Sequence, residues 1–146
     1  MTQFNILFGT ESGNAEMAAE DLGERLNQLG HNANVISMEN ATVDDCKSCD
    51  HLIILTSTYG EGDLPETAAP FFDLISQTDI DLSDICFSAF GLGDSSYENY
   101  NNAIDKFVQQ FRELNAELCG TVGKYDASSN GDVSESAIEW AEELFQ

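Results

Sequence analysis

Positive charge is scarce in this sequence: 5 Lys and Arg stand against 27 Asp and Glu, a formal net charge of -22 over 146 residues. That scarcity excludes nucleic acid as a partner, because neutralising phosphates needs clustered Lys and Arg. It also excludes attachment to an anionic membrane surface. A basic protein partner fits the charge, and so does a surface adapted to high salt; charge alone does not separate the two. Long apolar runs are missing too, since none approaches the roughly 18 residues of a membrane span. Met1 to Phe8 has no basic flank and no cleavage-like site, so it reads as a first strand and not as a signal peptide, and a cytoplasmic location is expected. The two prolines, Pro65 and Pro70, fall at one loop-to-helix junction. No internal repeat, low-complexity tract or linker divides the chain, so one domain over 1–146 is expected. What is present suffices for a core: 42% of residues are hydrophobic and 10% aromatic, which excludes a disordered acidic tail.

There are four cysteines. Cys86 and Cys119 lie within apolar runs and are expected to be buried core thiols. Cys46-Lys47-Ser48-Cys49 is formally C-x-x-C. A thioredoxin-like motif should follow a strand and open a helix, whereas this one precedes a strand. A structural zinc site would need two further ligands, and only His31 and His51 are available. The pair reads as an ordinary loop or helix-end feature.

Apolar spacing alternates between short runs and helical stripes. Phe4 to Phe8 is a strand ending at Gly9. Ala15, Ala18, Leu22, Leu26 and Leu29 mark one helix face between Asn14 and Leu29, closed by Gly30. Asn34 to Met38 is a weaker strand, and Leu52 to Leu55 a fully covered one within His51–Thr56. Helices are expected over Thr67–Gln77 and Asn101–Leu114, strands over Ile85–Leu92 and Leu118–Tyr125, and a final helix carries Val133, Ala137, Trp140 and Leu144. Glu39 to Asp50 is expected to be irregular or a short helix. Strands alternating with helices imply a parallel sheet with right-handed crossovers. The expected fold class is α/β, a doubly wound five-stranded parallel sheet in the flavodoxin-like order 2-1-3-4-5, with ligands beyond the carboxyl ends of the strands.

Three loops leave that end. Gly9-Thr10-Glu11-Ser12-Gly13-Asn14-Ala15 runs into a helix. Its hydroxyls, its glycine and the helix N-terminus suit a phosphate held without Lys or Arg. The loop is neither Walker A nor Gly-x-Gly-x-x-Gly, which argues against an NTPase and a dinucleotide. On its own it serves equally as a helix N-cap at Ser12. Thr56-Ser57-Thr58-Tyr59-Gly60-Glu61-Gly62-Asp63 places an aromatic beside two glycines that free the intervening peptide. Gly91-Leu92-Gly93-Asp94-Ser95-Ser96-Tyr97 repeats the pattern of glycines, acid and aromatic. Each tyrosine could also simply fill a gap, but the three loops together describe a phosphate pocket and two rings, which suits a planar phosphorylated heterocycle. No His lies in them, so Ser-His-Asp hydrolysis is excluded.

With these motifs in this order the sequence resembles the flavodoxins. Thr10 to Ala15 looks like the FMN phosphate loop, and Tyr59 to Asp63 and Gly91 to Tyr97 look like the two isoalloxazine loops. The second motif, with Leu64-Pro65, is most similar to flavodoxin domains of diflavin reductases such as sulfite reductase and cytochrome P450 reductase; free-standing MioC-type flavodoxins are similar as well. The last strand follows its helix without an insertion, as in the short-chain class. The resemblance implies FMN as cofactor. Thr10, Glu11, Ser12, Gly13, Asn14 and Ala15 would surround its phosphate, and Tyr59 and Tyr97 would flank its ring. The Gly60–Glu61 peptide, with Ser57, Thr58 and Gly62 around it, would reorient toward flavin N5. Gly91, Leu92, Gly93, Asp94 and Asn101 would meet the pyrimidine edge, and Asp126 would lie nearby. Ser12 and Ala15 stand where many flavodoxins have Thr, and Tyr59 where free-standing ones often have Trp.

The implied function is one-electron transfer, with the chemistry resident in FMN. A cytoplasmic monomer would carry electrons from an NADPH-dependent flavin reductase to a metabolic enzyme or haem protein, both presenting basic surfaces. Met1 and an end just after the last helix favour a stand-alone carrier. The acids Glu61, Asp63, Asp94, Glu98 and Asp126 would face such partners and would also disfavour the negative charge of fully reduced FMN. Glu135, Glu139, Glu142 and Glu143 on the last helix are assigned to solvation. Three alternatives stand beside this reading. A response-regulator receiver needs an Asp where Thr56-Ser57-Thr58 stands, and only Lys124 favours it. An FMN-dependent quinone reductase needs a substrate pocket for which no spare segment exists. A purely interacting protein would bind no flavin.

Overall fold

The computed structural model describes residues 3–9, 13–58, 64–93, 102–120, 122–126 and 132–145, with the side chains of 102 and 145 left aside. Among the described residues, six strands and four α-helices follow one another along the chain. They are β1 Gln3–Gly9, α1 Asn14–Gln28, β2 Asn32–Ser37, β3 His51–Ser57, α2 Ala69–Gln77, β4 Cys86–Gly93, α3 Asn102–Glu113, β5 Glu117–Leu118, β6 Gly123–Asp126 and α4 Val133–Phe145. All strand pairs are parallel. The order is β2-β1-β3-β4-β5, with β6 also pairing β4. This is the doubly wound 2-1-3-4-5 arrangement expected from the sequence.

Alternation along the strands sends successive side chains to opposite helical layers. Phe4, Ile6 and Phe8 with Ile53, Leu55, Phe90 and Leu92 pack against Ala18, Leu22 and Leu26 of α1 and Ala137 and Trp140 of α4. Leu7 with Leu52, Ile54, Phe87 and Ala89 packs against Phe71 and Ile75 of α2 and Ile104, Phe107 and Phe111 of α3. Asp132 caps α4 by accepting from Ser134 N–H at 2.8 Å and Glu135 N–H at 3.1 Å. Helices α1 and α4 are joined by the Ser134 hydroxyl donating to Asp21 at 2.6 Å and by Arg25 with Glu142 at 3.5 Å. So Glu142, assigned to solvation from the sequence, makes an ion pair.

The connection between β2 and β3 contains no α-helix. It holds a short 3-10 helix, Val43–Cys46, whose first turn is closed by Thr42 N–H donating to Asp45 Oδ2 at 2.8 Å. Asn5 of β1, only 2% exposed, faces this connection. Its amide donates to the Asp45 carbonyl at 2.8 Å and to the Ser48 hydroxyl at 3.1 Å, occupying the place an apolar side chain takes elsewhere on β1. Cys46 ends the 3-10 helix, and both it and Cys49 are free and buried, as a helix-end pair should be.

Two expectations are corrected. The last strand is not continuous over Leu118–Tyr125 but divided into β5 and β6. Phe87 pairs Leu118 and Phe90 pairs Gly123, so β4 advances three residues while the edge advances five. The extra length is taken up around Gly120, whose φ of 78° suits glycine and whose α-carbon faces Leu144 of α4. Second, Cys86 and Cys119 are not core thiols. Both are partly exposed and they form a disulfide, with 6.1 Å between their α-carbons. Cys86 opens β4 at the rim of the sheet, and its pairing with Glu117 brings Cys119 alongside.

Candidate cofactor site at the carboxyl ends of the strands

The register aligns the ends of the central strands in rows. Gly9, Thr56, Gly91 and Lys124 form one row. Ser57, Leu92 and Tyr125 form the next, and Gly93 pairs with Asp126 beyond it. The three motif-bearing loops therefore depart from one edge of the sheet, and the end of β6 adds Asp126 to them. Gly9 must be glycine here: a β-carbon on it would lie 2.7 Å from Ala68 Cβ and 3.0 Å from both Met38 Sδ and Thr56 Oγ1. Packing between β1 and the segment before α2 causes this, so local sequence carries no sign of it.

Helix α1 begins at Asn14 with Gly13 as its N-cap, at φ 90° and ψ -7°. The cap thus falls one residue after Ser12, the position read from the sequence. A β-carbon at Gly13 would meet nothing within 4 Å, so the backbone shape and not the space calls for glycine there. The first helical bond runs from Met17 N–H to the Gly13 carbonyl at 3.0 Å. The positive end of a 15-residue helix therefore points to the carboxyl edge of the sheet, as an anionic group requires. Asn14 is exposed, whereas the Ala15 side chain is buried and serves the α1 packing.

Ser57 closes β3, and its hydroxyl is buried without a hydrogen-bond partner among the described residues. A buried hydroxyl in that state marks a position where a polar group is due. Thr58 is held in place from two sides. Its N–H donates to the Leu92 carbonyl at 2.8 Å, and its hydroxyl accepts from Ala103 N–H at 3.2 Å, which fastens the loop after β3 to the first turn of α3. Leu92 is 5% exposed and belongs to the core, leaving its backbone for the edge. Gly91 and Gly93 continue β4 to its end, and Asp126 is partly buried beside Gly93. Lys124 pairs with Asp105 of α3 at 3.3 Å. Thr10, Glu11, Ser12, Tyr59, Gly60, Glu61, Gly62, Asp94, Tyr97 and Asn101 lie outside the described residues, as do Asp63, Glu98 and the other residues of 94–100. Gly13, Asn14, Ala15, Ser57, Thr58, Gly91, Leu92, Gly93 and Asp126 are brought to one edge.

Comparison with known proteins decides the family. The family model for flavodoxins matches residues 6–140. The chain belongs to the flavodoxin family. It is 33% identical over 141 residues to the sulfite reductase [NADPH] flavoprotein alpha-component of Bacillus subtilis, covering 96% of this chain and 23% of that protein. It is 27% identical over 140 residues to Protein MioC of Escherichia coli K12, covering 96% and 94%. The chain thus spans about a quarter of the first relative and nearly all of the second. Among solved structures, a flavodoxin of Streptococcus pneumoniae TIGR4 superposes with a TM-score of 0.85 at 28% identity, covering 97% of each chain. This is a family of FMN-carrying electron-transfer proteins, and the cofactor of the site is FMN. The orphaned Ser57 hydroxyl and the helix terminus at Gly13 both fit such a group. Among the described residues no helix is long and apolar enough to cross a membrane.

Proposed function

We propose that this flavodoxin is a single-domain, monomeric, cytoplasmic electron carrier and not itself an enzyme. It takes single electrons from an NADPH-dependent flavin reductase and delivers them to a metabolic enzyme or haem protein, both docking through basic surfaces. The observation that carries this reading is the convergence of the α1 N-terminus, the orphaned Ser57 hydroxyl and the β4 and β6 ends on one edge, in a chain of net charge -22.

FMN supplies the one-electron chemistry when bound; the protein binds and orients it and sets its surroundings. The α1 terminus at Gly13, with Thr10, Glu11 and Ser12 before it in the sequence, would hold the phosphate without a cation. Ser57 and Thr58 at the end of β3 and Asp126 at the end of β6 would border the ring, and Tyr59, Gly60, Glu61, Gly62, Asp94, Tyr97 and Asn101 are the further residues that the sequence assigns to it. The surrounding acids disfavour added negative charge on the ring and so lower the second of its two one-electron potentials. The same acids steer a basic partner, an effect that salt screens.

The test is a spectroelectrochemical titration of purified protein, followed by stopped-flow reduction by a basic NADPH-dependent flavin reductase across a salt series. Two separated one-electron potentials, and a rate that falls as salt rises, are expected. A salt-independent rate removes the docking role of the acids. Steady NADPH oxidation by the isolated protein would make it an enzyme of the quinone-reductase kind and overturn the carrier reading.

A further inference from the structure

At the opposite pole of the sheet stands a cluster with no part in flavin binding. His51 opens β3, Cys86 opens β4 and Cys119 follows β5. His51 and Cys86 are direct register partners. A ring nitrogen of His51 and the sulfurs of Cys86 and Cys119 all lie within 4.8 Å of one another. The seven residues of β3 from His51 to Ser57 separate this cluster from the flavin edge by about 20 Å.

The surroundings of His51 orient it as a ligand. Its Nε2 lies 2.8 Å from the Ser88 hydroxyl, and that hydroxyl donates its only proton to the Cys119 carbonyl at 3.0 Å. This hydrogen bond holds the plane of the His51 ring beside the two cysteines. An outer hydrogen bond that holds tautomer and ring plane is the usual companion of a metal-bound imidazole. One neutral imidazole and two thiolates form a ligand set of net charge -2, matched to a borderline-soft divalent cation. The cysteines are partly exposed, which gives the ion a route in and leaves a fourth position for water.

We propose that His51, Cys86 and Cys119 form a zinc site that opens when the Cys86–Cys119 disulfide is reduced. A dithiol reductant gives two electrons and two protons to the disulfide, and is itself oxidised to its own disulfide. Zn2+ then displaces one proton from each thiol, and two Zn–S bonds form. In a reducing compartment the dithiol is the resting form, so the metal-binding state is the populated one. Cys46 and Cys49 take no part: both are buried in the core.

The test uses FMN-loaded protein reduced with dithiothreitol and desalted without oxygen. After dialysis against Zn2+, one equivalent should remain on the reduced protein and none on the oxidised protein. Co2+ in place of Zn2+ should give sulfur-to-cobalt charge transfer and red d–d bands beyond the absorption of oxidised flavin. Both signals should vanish in Cys86→Ser and Cys119→Ser, and affinity should fall about 10-fold or more in His51→Gln. Both should persist in the Cys46→Ser/Cys49→Ser double variant. Quenched flavin fluorescence reports that each variant is folded. If a variant fails to fold, slower alkylation of Cys86 and Cys119 in reduced wild-type protein on adding Zn2+, mapped by peptide mass, supports the site instead. Reduced wild-type protein that retains no Zn2+, metal binding that survives Cys86→Ser, or unprotected alkylation overturns the proposal.

Discussion

Replacing Ser57 by Ala should move stability and cofactor affinity in opposite directions. The Ser57 hydroxyl is buried with no partner among the described residues. An unsatisfied buried hydroxyl costs about 1–3 kcal/mol, and removing it with little change of shape recovers part of that. Unfolding entropy near 2.1 cal/mol/K per residue over 146 residues is about 0.3 kcal/mol/K, so a gain of about 1 kcal/mol raises Tm by about 3 °C. FMN-free Ser57→Ala protein should therefore melt slightly higher than the parent. With FMN bound, the parent hydroxyl finds its partner and the variant has nothing to offer. The loss of about 1–3 kcal/mol corresponds to an FMN Kd weaker by about 5- to 150-fold. Thermal melts of the FMN-free forms and flavin-fluorescence titrations measure the two quantities separately. A variant that melts lower without FMN, or one that binds FMN as tightly as the parent, would show that Ser57 is not a polar group held for the cofactor.

Other predictions follow from packing and burial. Gly123→Ala puts a β-carbon 2.8 Å from Trp140 Cδ1 and against the Phe90 ring, two side chains buried against each other at 5.3 Å; a Tm lower by about 3–10 °C is expected from about 1–3 kcal/mol of overpacking, and an unchanged Tm counts against that packing. Asn5→Ala strips the Asp45 carbonyl and the Ser48 hydroxyl of their partner; urea unfolding should show a loss of about 1–3 kcal/mol, and a neutral result would mean that water replaces the amide. The Cys46 thiol, pushed by burial up to about 12, should react with iodoacetamide at pH 8 more than 1,000-fold more slowly in native protein than in urea, and faster as pH climbs. Equal rates in native and unfolded protein would contradict that burial.

The α/β alternation was legible because period-2 and period-3.6 patterns of apolar residues are local. Leu52 to Leu55 reads as a strand covered on both faces, and so it is, with Leu52 and Ile54 in one layer and Ile53 and Leu55 in the other. The candidate site reads from the sequence for a related reason: hydroxyls, glycines and aromatics gather in short segments, and parallel topology puts the strand ends that lead into those segments at one edge. Side-chain chemistry puts the α1 cap at Ser12, one residue early, because a left-handed residue such as Gly13 can open a helix with no capping side chain. Asn5 gives no local sign of its role inside an apolar run, since its partners Asp45 and Ser48 lie 40 and 43 residues away. In the sequence Gly9 reads only as a strand end, because the atoms that confine it belong to Met38, Thr56 and Ala68.

The cysteines divide the two sources of information most clearly. C-x-x-C at Cys46 and Cys49 draws attention through its spacing, yet those thiols are sealed in the core. Cys86 and Cys119 stand 33 residues apart and meet only because β4 and β5 are paired. By itself the sequence determined the order of elements, the acidic balance and the loop chemistry that belongs to FMN, all of which rest on neighbours along the chain. The tertiary structure alone decided the break in the edge strand, the orphaned hydroxyl of Ser57 and the meeting of His51 with two cysteines. Those depend on strand register and on the packing of a helix over a turn, and such contacts between distant segments leave no periodicity in the residues that make them.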